Sequence, residues 1–199
     1  MRADAASHAG PAEEGSTGIP NGKLGTWLFL ASEIMLFSTL FTTYIVLRTA
    51  SPSWPRGWEV LNVPLATLNT FILIASSVTI LLAYVRALER DRAGFRAFMA
   101  ATIALGFAFL CVKGFEYGAK FSHGHWPRTS IFYAVYFTLT GLHMLHVIGG
   151  MLWNSGLLLW GSGEGFDDPL FTGRIEYAGL YWHFVDIVWI FLFPALYLL

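Results

Sequence analysis

Leu180-Tyr-Trp-His-Phe-Val-Asp-Ile-Val-Trp-Ile-Phe-Leu-Phe-Pro-Ala-Leu-Tyr-Leu-Leu199 is an almost unbroken apolar run. A bilayer core is crossed by about 20 helical residues, so the stretch reads as a membrane span. His183 and Asp186 break its apolar character, and their spacing of three puts them on one helix face. An imidazole and a carboxylate inside hydrocarbon are costly unless protein surrounds them. The pair therefore points to function or to a buried partner, and it implies a bundle into which it can turn.

The rest of the chain has the same character. Of its 199 residues, 55% are hydrophobic and 13% charged, against about 25% charged in soluble domains. Most of the chain therefore belongs in lipid. The net charge of -1 and the lack of a basic cluster give no sign of nucleic acid as a partner. Cys111, the sole cysteine, has no partner for an internal disulfide and reads as a small core residue. Residues 1–23 are rich in Ala, Gly, Pro, Ser and Glu and lack the apolar stretch of a signal peptide. They read as a flexible soluble tail, His8 included, preceding a transmembrane domain over 24–199.

Five apolar segments follow, near 24–47, 64–85, 97–117, 130–160 and 178–199. Each is too long and too densely apolar for barrel strands, which alternate over about 10 residues. The expected fold is all-α, a polytopic bundle of five transmembrane helices. Trp54, Trp58, Trp126, Trp160 and Trp182 fall near span ends, as an aromatic belt requires. The N-terminal side collects seven Lys and Arg residues, four of them in the short 86–96 connection, and the opposite side five. The positive-inside rule then puts the N-terminus inside and the C-terminus outside.

At about 1.5 Å per residue, distance from the inner helix end gives depth. Glu33, Ser76, Ser77, His183 and Asp186 then fall in one polar layer of the inner half, with His146 and His143 somewhat deeper. Three readings compete. Histidines facing one another across helices would hold a b-type haem. Glu33 with three histidines and Asp186 would suffice for a metal. A buried hydrogen-bond network needs no cofactor and is the favoured reading. Glu33 stands alone in its span and would either relay a proton or simply donate a hydrogen bond. Lys113 and Glu116 read as a same-face ion pair or as snorkelling residues. The spacing of Gly114 and Gly118, and the Gly149-Gly150 pair, suggest close helix packing.

Trp182-His183-Phe184-Val185-Asp186-Ile187-Val188-Trp189 resembles a motif of subunit III of the haem-copper respiratory oxidases, and so does the 140–150 stretch around His143 and His146. Ala31-Ser32-Glu33, the 64–70 stretch with Asn69 followed by Ser76-Ser77, and Glu116-Tyr117 agree in the same order. The resemblance covers residues 24–199. It implies a non-catalytic accessory subunit of a proton-pumping terminal oxidase that reduces O2 to water. Haem and copper are then expected in partner subunits and none in this chain. Subunit I is the implied direct partner, with subunit II in the same complex, bound phospholipid between the helices, and a bacterial inner membrane as location. It also implies that Glu33 is the family's buried carboxylate, supporting proton uptake. Asn69, Ser76, Ser77, Glu116 and Trp182 are expected in helix packing or the network. Longer members have two further spans; five-span forms resemble subunits of bacterial quinol oxidases and companions of nitric oxide reductases. Met144 stands where glycine is common in the family. Glu33, where some quinol-oxidase relatives have Asp, favours cytochrome c as electron donor. A free-standing b-type cytochrome or a proton channel centred on Glu33 are the readings of another class.

Overall fold

The computed structural model describes residues 20–199. The tail reading, His8 included, therefore lies almost wholly outside the described residues. Among the described residues, five long helices are apolar enough to cross a membrane: α1 (Asn21–Ala50), α3 (Val63–Leu88), α4 (Arg92–Ser122), α5 (Ile131–Ser162) and α6 (Phe171–Phe193). A short α2 (Gly57–Val60) lies between the first two, a 3-10 turn (Glu164–Asp167) precedes α6, and a π-helical turn (Pro194–Leu198) follows it. No strand occurs among the described residues.

Helix starts are set by side-chain caps that satisfy otherwise orphaned backbone N–H groups. Asn62 accepts from Leu65 N at 3.1 Å, Asp91 from Gly94 N at 2.9 Å, and Ser130 from Tyr133 N at 3.3 Å. The α3–α4 turn is only Glu89–Asp91, and it closes because Arg90 adopts a left-handed φ of 59°. So tight a turn makes α3 and α4 antiparallel neighbours over much of their length.

The helices run beyond the apolar segments. Most of the 86–96 connection is helical, and α6 begins at Phe171 rather than near 178. The reason is that helices project past the hydrocarbon, where charged residues are free to continue the hydrogen-bond ladder. This shift corrects the belt assignment of Trp182. It sits mid-helix, at 0% exposure.

α3, α4, α5 and α6 form a closed ring in which α3 and α5 each touch both α4 and α6. Trp182 fills its centre. A Cβ on Gly150 would lie 2.7 Å from the indole, and one on Gly106 2.9 Å. The indole Nε1 donates to Ser76 Oγ at 3.0 Å, so one side chain engages all four helices. Gly149 has no such role, its Cβ position being 3.5 Å from the Tyr181 hydroxyl. Gly114 and Gly118 face open space, so the close contact their spacing suggested is not made among the described residues. Cys111 is exposed on the same helix and is not a core residue.

α1 lies outside the ring, against α6 and α5. Its buried residues Leu30, Phe37 and Tyr44 are seven apart and form a single narrow stripe. Polar contacts reinforce both ends. Lys23 pairs with Glu176 at 2.8 Å. At the far end Tyr44 OH donates to Ala195 O, and Arg48 Nη2 to Leu199 O at 2.9 Å.

Gly150→Val should lower the thermal unfolding midpoint of the detergent-solubilised protein, because overpacking a filled core costs about 1–3 kcal/mol. Gly118→Ala, made where a Cβ meets nothing, should leave the midpoint unchanged.

Candidate functional site

Polar side chains gather at two levels of the bundle. Nearer the N-terminal face, His146 of α5 reaches Glu33 of α1, Nε2 to Oε2, at 2.9 Å. Glu33 is thus paired, not isolated. His146 Nδ1 lies 2.8 Å from Leu142 O, which only accepts, so Nδ1 carries a hydrogen. The Nε2–Oε2 contact then holds one further proton, borne by either the carboxyl or the imidazole. Phe37 meets the imidazole edge-on, and Tyr181 OH donates to His146 O at 3.0 Å. The side chains are 13% and 15% exposed, so the pair sits at the α1 seam rather than in the sealed core.

His183 turns to α3, where its Nδ1 is 2.6 Å from Ser77 Oγ. Ser76 accepts from Trp182 and donates to Leu73 O at 2.7 Å. The expected inner layer is therefore divided into separate pairs on different helix seams. Asp186 is buried beside them, with neither carboxyl oxygen hydrogen-bonded among the described residues. His143 is likewise sealed, stacked on Trp189 at 5.3 Å and edge-on to Phe109, and neither ring nitrogen has a hydrogen-bond partner among the described residues. Asn69 donates to Phe109 O at 3.4 Å.

The three imidazoles turn to different neighbours, His146 to Glu33, His183 to Ser77 and His143 to Trp189. Glu33, the histidines and Asp186 do not converge, and no group of three metal-type ligands occurs among the described residues.

The second set lies nearer the C-terminal face. Lys113 and Glu116 of α4 form an ion pair at 2.9 Å, with side-chain exposures of 0% and 3%. The snorkelling alternative fails because Tyr197 covers the pair. Lys113 Nζ donates to Tyr197 OH at 2.6 Å, and that hydroxyl donates to Glu116 Oε1 at 2.9 Å. The rings of Tyr117, Tyr136, Trp189 and Tyr197 surround the ammonium at 4.9–5.9 Å, within the range of cation–π attraction. Sequence reasoning missed Tyr136 and Tyr197. Pro194 was the available signal, since it ends the regular helix and turns Tyr197 inward.

Removing one member of a buried ion pair costs about 3–5 kcal/mol, whereas apolar replacement of both is often near neutral. Lys113→Met alone should therefore destabilise the protein severely in unfolding assays, and Lys113→Met with Glu116→Leu should recover most of the loss.

A family model described as Cytochrome c oxidase subunit III matches residues 10–199. Cytochrome c oxidase subunit 3 of Bacillus sp. (strain PS3) is 34% identical over 90% of this chain and 86% of its own length. Cytochrome bo(3) ubiquinol oxidase subunit 3 of Pseudomonas putida is 32% identical over 88% and 84%. Cytochrome c oxidase subunit 3 of Corynebacterium diphtheriae is 38% identical over 87% and 86%. With near-complete coverage on both sides and five apolar helices in place, the chain belongs to the cytochrome c oxidase subunit III family.

Proposed function

We propose that the chain is a non-catalytic accessory subunit of a proton-pumping haem-copper terminal oxidase, built into a bacterial inner membrane with its N-terminal face inside. Subunit I is its direct partner and carries the redox metals, and subunit II belongs to the same complex. The observation that supports this reading best is where five of the titratable side chains inside the helices go. Glu33, His146, His183, Lys113 and Glu116 are engaged with one another or with hydroxyls of the same bundle. They serve its architecture, and leave the redox chemistry to a neighbour.

Within that role the Glu33–His146 pair supports proton uptake. It shares a proton between a carboxyl and an imidazole at a partly open seam, which suits handing a proton onward without a metal. Phospholipid held against the helices belongs to the same reading. The relatives named above include cytochrome c and ubiquinol oxidase subunits at similar identity. The donor is therefore assigned to the other subunits, and a quinol oxidase is the second reading.

Affinity purification of the chain from its native membrane should bring down a large haem- and copper-containing subunit; recovery without one would contradict the proposal. In the purified complex Glu33→Gln should slow proton uptake or shorten the enzyme's lifetime during turnover, with haem content unchanged. Loss of haem from an otherwise assembled complex would count against the assignment of Glu33.

A further inference from the structure

α6 is the floor of a groove between α1 and α3. It meets α3 through His183 and Ser77, and α1 through Phe184, whose ring is 6.1 Å from that of Phe37. The arc of α6 between these two neighbours is uncovered. Leu180, His183, Ile187 and Ile190 follow one another along it at intervals of three, four and three residues. Ile187 and Ile190 are exposed. That spacing is the seam of a left-handed helix pair.

Apolar exposure alone says nothing in a membrane, because lipid tails cover it. His183 is what sets this arc apart. Its Nδ1 is taken by Ser77, while Nε2 has no hydrogen-bond partner among the described residues and is open at the bundle surface. In either tautomer Nε2 remains a donor or an acceptor in need of a partner. Depth decides what that partner is. At 1.5 Å per residue, His183 lies about 18 Å along α6 from Phe171, and Ser77 about 16 Å from the Leu88 end of α3. The imidazole is thus near the centre of a hydrocarbon layer about 30 Å thick, away from head groups and bulk water. Lipid tails offer neither donor nor acceptor, so a polar atom at that depth finds its partner on protein.

We infer that the groove seats a transmembrane helix of the neighbouring subunit, packed on Leu180, Ile187 and Ile190, with an amide or hydroxyl side chain set against His183 Nε2. The inference rests on the proposed function, which supplies a membrane-embedded neighbour, and adds the face on which that neighbour sits.

The test uses the complex in its native membrane. Photoreactive p-benzoylphenylalanine is substituted for Ile187, for Ile190 or for Leu152, an exposed residue of α5, and the adducts are identified by mass spectrometry after irradiation. Positions 187 and 190 should both cross-link to one transmembrane segment of the large partner, a segment carrying Asn, Gln, Ser or Thr, and position 152 should not reach it. In detergent, His183→Leu should lower the partner retained per chain roughly threefold, the scale of one hydrogen bond between membrane helices. His183→Gln, which keeps an amide there, and Ser77→Ala, which keeps Nε2, should retain it. Adducts at 187 and 190 with lipid alone, or equal retention by wild type and His183→Leu, would overturn the inference. So would an equal loss from Ser77→Ala, which would assign the effect to the fold of the bundle. Adducts with a second copy of this chain would overturn the neighbour as occupant. Recovery of no large membrane partner at all would contradict the proposed function itself, whereas a recovered partner with no adduct at either position would sink this inference alone.

Discussion

The bundle depends on the seating of one indole. Trp182 occupies the space that the missing side chains of Gly106 and Gly150 leave open, and its N–H ends on Ser76. Between helices in lipid there is no hydrophobic drive, because lipid tails are as apolar as the side chains they would replace. Association then rests on close packing and on hydrogen bonds, and Trp182 supplies both at the centre of the ring. Trp189, two turns on, repeats the arrangement more lightly, donating to Thr70 at 3.0 Å. These two indoles fix the rotation of α6, and that rotation turns His183 to Ser77 and Asp186 to the interior.

The same constraint explains where charge is tolerated. A lysine and a glutamate are carried at near-zero exposure because they face one another and because two tyrosines satisfy their remaining hydrogen-bonding capacity. α1 has the opposite problem. It buries only a narrow stripe, so much of its attachment falls to Lys23–Glu176, Glu33–His146 and the contacts of Tyr44 and Arg48 with the C-terminal turn. The carboxyl that the family resemblance singles out is thus also a fastening of the peripheral helix. In the proposed function a proton-handling role falls on the same contact that fastens α1.

Much of this was legible in the sequence. Apolar runs of span length give five helices directly, and the breaks in those runs pick out Glu33, Ser77, His146, His183, Lys113 and Glu116 as residues that need partners. Which partner each one finds was not legible. Equal depth grouped Glu33 with Ser77 and His183, but depth says nothing about azimuth, and Glu33 turns to His146 instead. Small residues mislead for the same reason. Gly114 and Gly118 have the spacing of a packing motif and face outward, whereas Gly106, with no such spacing, lies against Trp182. Tyr197 became a partner of Lys113 only because Pro194 redirects the last turn, a three-dimensional consequence of a single residue.

The central claim is that the histidines of this chain hold no haem and that redox chemistry belongs to a neighbouring subunit. The most direct measurement is the visible absorption spectrum of the chain after separation from its partners under conditions that keep it helical. The account predicts no Soret band. A Soret band that co-elutes with the chain and is abolished by His143→Leu or His183→Leu would contradict it.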